Sequence, residues 1–191
     1  MDRGAPMDPA GDAELVARVQ AGERDAFGAL VRRYQRMIFA LASRMTGSRA
    51  EAEDVVQNSF LNAYRQIGAF RGEASFKTWL YGIALNECRT LHRRSHRTVA
   101  LDAVAEPAAP ASQGHPLDRH VLRKWVVRLP PKQRAALLLR VCEDLSFREI
   151  GEMTGTSEAS AKVSYCHAVK KLRGWMAPRP DVAGEDEGAG G

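Results

Sequence analysis

The sequence predicts an all-α protein: two small helical domains, a helical bundle and a helix-turn-helix unit, joined by a flexible linker. Three observations predict it. Apolar residues recur at steps of three and four along both halves, the period of one face of a helix. Capping pairs and glycines punctuate those runs where helices should start and stop. Between the halves lies residues 98–116, "TVALDAVAEPAAPASQGHP", with three prolines, many alanines and no helical period. The predicted organisation is an N-terminal unit over 12–97, the linker over 98–116 and a C-terminal unit over 117–176. Residues 1–11 and 177–191, rich in Gly, Pro, Ala and acids, read as disordered ends.

The N-terminal unit opens with a short helix that Asp12 caps and that runs to Gln20. A longer helix follows from about Glu23 to Met45. Its stripe is Phe27, Leu30, Val31, Tyr34, Ile38, Leu41 and Met45, and Gly47 ends it. Ser48 and Glu51 form a capping box for a third helix, whose inner face is Val56, Phe60, Ala63 and Ile67. After the loop "GAFRGEAS", Ser75 caps a fourth. In the C-terminal unit, helices are predicted at 117–128 and 131–142, the second starting on a proline that suits a first turn. Ser146 and Glu149 make a further capping box for a short helix over 146–153. "TGTS" turns the chain with Gly155, and Ser157 caps a last helix to about Arg173. Short helix, glycine turn and longer basic helix form a helix-turn-helix pattern.

The formal net charge of +5 favours an anionic partner, nucleic acid first. No run is apolar and long enough to span a bilayer, and "MDRGAPMDPAGD" lacks the apolar segment of a signal peptide, so a cytoplasmic location is expected. Cys88, Cys142 and Cys166 are scattered and odd in number, which is neither a disulfide framework nor a zinc knuckle. Cys88 reads as partial core, Cys142 as a buried small hydrophobe and Cys166 as an exposed or groove-facing thiol.

The fourth helix has two unlike faces. At 100° per residue, Phe76, Leu80, Ile83, Ala84 and Leu91 fall on one side. Trp79, Asn86, Arg89, Arg93 and Arg97 fall roughly opposite, with Gly82 among them. That face offers a ring to stack on, an amide to read a base edge and guanidiniums for phosphates, the parts of a single-strand platform. In the last helix Ala161, Tyr165, Ala168 and Leu172 form the inner stripe. Lys162, Val163, Cys166, His167 and Lys170 point outward. Lys162 and His167 suit base edges, and Lys170, Lys171 and Arg173 suit phosphates.

"AEDVVQNSFLNAYR" with "FRGEASFKTWLYGIALN", then "LPPKQRAALLLRVCEDLSFREIGEMTGTS", resemble regions 2 and 4 of the extracytoplasmic-function sigma factors of the bacterial sigma-70 family. The resemblance spans about residues 12–176. It implies a transcription initiation factor that binds core RNA polymerase, directs it to promoters and promotes melting. Region 2 would recognise the −10 element and region 4 the −35 element. Carried over, polymerase binding falls on Asp54, Gln57, Asn58 and Leu61. The −10 contacts fall on the loop Phe70 to Ser75, including Phe70 and Arg71, and on Phe76, Lys77, Trp79, Asn86, Arg89, Arg93 and Arg97. The −35 contacts fall on Ser157, Lys162, Val163, Cys166, His167, Lys170 and Lys171. The resemblance also implies an anti-sigma partner, often membrane-bound. Asn58 stands where the family often carries an acid. Thr90 stands where a polar or acidic residue commonly helps read the −10 element. "SEASAKVSYCHAVKKLR" departs from the family's usual recognition run.

An enzyme is the first rival reading. The sequence has no Gly-rich phosphate loop, nucleophile motif or paired acid/base carboxylates, so no catalytic residue, cofactor or small-molecule substrate is expected. Cys88, His92 and His96 share a helix side at i, i+4 and i+8, but a fourth ligand is missing and no metal is expected. The alternative within nucleic-acid binding is a stand-alone helix-turn-helix transcriptional regulator, which would dimerise to read paired half-sites.

Overall fold

A computed structural model describes residues 9–99 and 119–177. They form eight helices in chain order: α1 (Pro9–Gln20), α2 (Arg24–Thr46), α3 (Arg49–Gln66), α4 (Phe76–Val99), α5 (Arg119–Arg128), α6 (Pro131–Cys142), α7 (Phe147–Thr154) and α8 (Glu158–Met176). One 3-10 turn, Ile67–Ala69, follows α3. Most of the predicted linker, and most of both predicted disordered ends, lie outside the described residues.

Most of the predicted punctuation is present. Gly47 takes the left-handed conformation (φ 80°) that ends α2, and its amide bonds to the Ser43 carbonyl. The Ser48 hydroxyl accepts from the Glu51 amide at 3.4 Å, and the Ser75 hydroxyl from the Thr78 amide at 3.1 Å. Ser146 and Glu149 form a complete capping box, and Ser157 caps α8 through the Ser160 amide. The Ser146 hydroxyl and main-chain N–H hold the Glu149 carboxyl below its usual pKa.

Several boundaries differ, among them the end of α8, which runs to Met176 and not to Arg173. α1 begins at Pro9, within the stretch expected to be disordered, because proline suits a first turn. Asp12 therefore sits inside α1 and does not cap it. It is buried and accepts hydrogen bonds from Arg33 and from the Tyr34 hydroxyl on α2. α4 continues to Val99, two residues past the predicted end.

α2 is the centre of the first bundle, with Leu30, Tyr34 and Ile38 fully buried. The second half does not stand apart from it. One continuous core joins Leu80, Tyr81, Leu85 and Cys88 of α4 to Ala135, Leu138 and Leu139 of α6 and to Ile150 and Met153 of α7. A smaller cluster of Val121, Trp125, Leu129, Leu137, Ala168 and Leu172 completes the second half. Among the described residues, at least four polar contacts cross between the halves. Lys77 pairs with Glu143 at 3.4 Å, Arg89 donates to the Thr154 carbonyl at 2.7 Å, and Arg123 donates to the Ser43 carbonyl at 3.2 Å. The fourth is made by Arg134, whose buried guanidinium donates to the carbonyls of Met45 on α2, Val127 on α5 and Leu129, the last at 2.9 Å.

The helix-turn-helix depends on a glycine inside α7. A Cβ on Gly151 would lie 2.8 Å from the Thr156 carbonyl oxygen and 3.1 Å from the Glu158 nitrogen, both main-chain atoms. The Gly151→Ala protein is therefore expected to lose about 1–3 kcal/mol of stability. Thermal unfolding checks this, and an unchanged midpoint would mean that the turn relaxes freely.

Candidate nucleic-acid interface

The loop between α3 and α4 is pinned from α1. Gln20 donates from one amide nitrogen to the Ile67 carbonyl at 2.8 Å and to the Phe70 carbonyl at 3.0 Å. Gly72 at φ 73° lets the chain turn back. The result is a pocket of about 310 Å³ lined by Asp12, Val16, Phe70, Gly72, Ser75 and Phe76, among others. Its lining residues Gly72 to Ser75 are exposed, as is the neighbouring Arg71. Such a pocket has an aromatic wall and polar edges, which is what an unstacked base requires.

Phe76 lies on the core side, where the helical wheel puts it, although the resemblance also counts it among the −10 contacts; Trp79 is more covered than the wheel predicts. Phe76 is only 3% exposed and belongs to the core. It backs the pocket and is no contact face of its own. Trp79 is half-buried in an aromatic group, 5.0 Å from the Phe70 ring and 5.7 Å from Phe76 by centroids. It presents one part of its indole beside the loop while the rest packs on the core. The helical wheel misses this because Phe70, from the preceding loop, covers the Trp79 side.

Farther along α4, Asn86 is exposed and accepts a hydrogen bond from Arg89 at 3.0 Å. Arg93 is exposed and donates to the Thr90 hydroxyl at 3.3 Å. The Arg97 and His96 side chains lie outside the described residues. Arg89, Arg93 and Thr90 line a cleft of about 840 Å³ with Lys132, Thr156 and Ser164 of the second half, and no acid lines it. Lys132 went unremarked in the sequence because it joins this cleft only when the halves come together. Lys77 and Arg89, both predicted DNA contacts, are engaged by Glu143 and Thr154 in this arrangement.

On α3, Asp54, Gln57, Asn58 and Leu61 are all exposed and share one face. Tyr64 extends it. Leu61 is 47% exposed and Tyr64 42%, two large apolar side chains one turn apart. Tyr64 leans edge-on against Phe27 at 5.0 Å. Its position three after Leu61 was the available signal in the sequence.

On α8, Ala161, Ala168 and Leu172 are buried, and Tyr165 packs on Phe147 at 5.5 Å. Ser157, Lys162, Val163, Cys166, His167 and Lys170 are exposed, and Lys171 is half-buried. The Ser157 hydroxyl accepts the Ser160 amide, so it serves the helix cap.

Cys142 is exposed, contrary to its predicted burial, because α6 is covered on the Leu138 and Leu139 side and leaves its last turn open. Cys88 is buried as expected, and desolvation pushes its thiol up to about 12. Among the described residues no group of three His, Cys, Asp or Glu side chains could hold a metal ion. A thiol reagent at neutral pH is expected to leave Cys88 unmodified in the folded protein. Peptide mass spectrometry reads this, and labelling of Cys88 without unfolding would contradict the burial.

Among the described residues no helix is long and apolar enough to cross a membrane. The chain matches the Sigma-70 region 2 model over residues 30–98 and the Sigma-70 region 4 model over 120–172. It is 39% identical over 154 residues to the RNA polymerase sigma-H factor of Pseudomonas aeruginosa, covering 73% of this chain and 80% of that one. It is 32% identical over 169 residues to the ECF RNA polymerase sigma factor SigM of Mycobacterium tuberculosis, covering 84% and 82%. Among solved structures, CnrH in complex with the cytosolic domain of CnrY aligns with a TM-score of 0.64 at 25% identity, over 87% of this chain and 97% of that one. The fold is shared as well with the sigma factor RpoE of Bartonella quintana, solved with the anti-sigma factor NepR (TM-score 0.64, 22% identity, 78% and 96% covered). With both regions matched in order and these relatives covered over four-fifths of their length, the chain belongs to the extracytoplasmic-function sigma factors of the sigma-70 family.

Proposed function

We propose that this sigma factor binds core RNA polymerase through the exposed α3 face around Asp54, Gln57, Asn58 and Leu61, with Tyr64 extending it. Residues 12–97 recognise and melt the −10 element, and residues 117–176 recognise the −35 element. A flipped base enters the pocket behind Phe70, Arg71 and Ser75, Trp79 stacks beside it, and Asn86 reads an edge. Arg89, Arg93 and Arg97 hold phosphates, with Lys77 available once Glu143 releases it. On α8, Lys162 and His167 face base edges, Val163 and Cys166 make apolar contact, and Lys170 and Lys171 meet the backbone. Such a protein works in the cytoplasm, where polymerase and DNA are, and needs no catalytic residue of its own. An anti-sigma factor is a further partner, a reading supported by the RpoE of like fold solved with the anti-sigma factor NepR.

The observation that carries this reading is the pinned, aromatic-walled pocket on the same chain as a helix-turn-helix with an exposed cationic face. A stand-alone regulator has no use for the pocket. The test is run-off transcription of bacterial genomic fragments by core polymerase with and without the chain. Selective starts that share two spaced motifs are expected. Lys162→Ala and His167→Ala should then change the upstream preference while opening persists. Equal weakening on every promoter would make them phosphate contacts. DNA binding without selective starts would favour the stand-alone regulator.

A further inference from the structure

A second surface lies away from the DNA-facing elements. Between α2, α5 and α6 runs a groove of about 760 Å³ whose floor is apolar, with Phe39, Leu122, Val126, Leu138 and Val141. Val141 is 65% exposed and Leu122 is 40% exposed, high for neighbouring aliphatic side chains on one concave surface. Three arginines, Arg44, Arg49 and Arg123, line the groove and no acid does. Phe39, Arg44 and Arg49 come from the first half of the molecule and the others from the second, so an occupant touches both.

We propose that the groove is the docking site of the chain's own C-terminal segment, residues 178–191. That segment, "PRPDVAGEDEGAGG", carries Asp181, Glu185, Asp186 and Glu187 against one cation, Arg179. Four acids and one arginine give it a net charge of −3, opposite to the groove. It starts close by. Leu172 lines the groove and α8 ends at Met176, so the segment leaves the helix about 6 Å beyond a lining residue. Fourteen residues reach about 46 Å when extended, more than the groove requires. Val182 and Ala183 supply the apolar contact for the floor, and the acids on either side meet the arginines. With a single large apolar residue the contact is weak per encounter. Tethering makes it effective, because a short linker holds its end at about millimolar local concentration. Since the groove has walls from both halves, the docked segment also holds those halves together.

Cys142 gives the test its probe. It lines the groove and is exposed, while Cys166 is exposed on α8 and does not line it. Iodoacetamide alkylation of each cysteine is followed by peptide mass spectrometry in three proteins. These are the full chain, a chain ending at Ala177, and an Asp181→Asn, Glu185→Gln, Asp186→Asn, Glu187→Gln chain. The shortened chain keeps every described helix. Cys142 is expected to react about threefold or more slowly in the full chain than in the other two, a difference that shrinks at high salt. Cys166 should react alike in all three. Arg44→Gln with Arg49→Gln in the full chain should raise the Cys142 rate to that of the shortened chain. Equal Cys142 rates in the full and shortened chains would overturn the proposal. Protection that persists in the shortened chain and grows with protein concentration would also overturn it, by assigning the groove to a second copy. The readout needs neither polymerase nor DNA, so it stands or falls apart from the proposed function.

Discussion

Arg134→Met is expected to lower folding stability by about 2–4 kcal/mol, the largest single loss among the substitutions considered. Burial costs the guanidinium, whose pKa falls to about 10, but it stays charged at neutral pH. Three main-chain carbonyls offset that cost. Methionine removes the desolvation penalty but leaves three carbonyls without a donor, and backbone groups cannot be substituted away. Each such acceptor costs about 1–3 kcal/mol when buried, so the loss outweighs the relief. Arg134→Lys should restore little, because one ammonium cannot reproduce the planar fork that reaches three directions. Because Met45 belongs to α2 while Val127 belongs to α5, the substitution should also loosen the two halves. Urea unfolding measures the loss, and a change below about 1 kcal/mol would mean that water replaces the guanidinium at the carbonyls. The sign with pH is defined as well. The folded state penalises the charged form, so the penalty lifts only as pH rises through about 10 toward the higher ordinary arginine value of the unfolded chain.

Trp79→Ala is expected to reduce open-complex formation about tenfold or more while core polymerase binding is retained. A base stacked on an aromatic ring contributes about 1–3 kcal/mol, or roughly 5- to 150-fold. The half-buried indole also packs on Phe70 and Phe76, so part of any effect arises from the shape of the pocket. Trp79→Phe separates the two. It keeps a ring and should recover most of the opening, whereas a purely steric role would be met equally by leucine. Permanganate reactivity of unpaired thymines reads the result. Unchanged opening in Trp79→Ala would remove the stacking role.

How much of this was legible in the sequence differs by element. Helices that carry their own punctuation were read closely, as with α6 between Pro131 and Cys142 and α7 with its capping box. Local chemistry fixes such ends, and local chemistry is what a sequence displays. The α8 and α3 faces were legible because each helix buries one stripe and leaves the other in solvent. α4 and α6 were harder, since each is covered on two sides. Ala135 to Leu139 are buried without a break, and a run of five buried residues has no period to read. Arg134, beside that run, looks like any helix arginine until α2 and α5 bring their carbonyls to it. Asp12 was placed at a helix end by the same one-dimensional reading, and tertiary packing buried it. The family resemblance supplied the roles, while the pocket, the cross-domain contacts and the arginine-rimmed groove came only from the fold.

The most direct measurement is equilibrium binding of the purified chain to bacterial core RNA polymerase, with Asp54→Arg and Leu61→Arg variants alongside. These side chains are exposed, so the variants should fold as the parent does. Saturable binding that weakens about tenfold or more in each variant is the predicted result, typical of an apolar anchor with a charged neighbour at an interface centre. Absence of binding by the parent chain, with promoter DNA still bound, would contradict the account. Binding unaffected by either substitution would move the polymerase surface off α3.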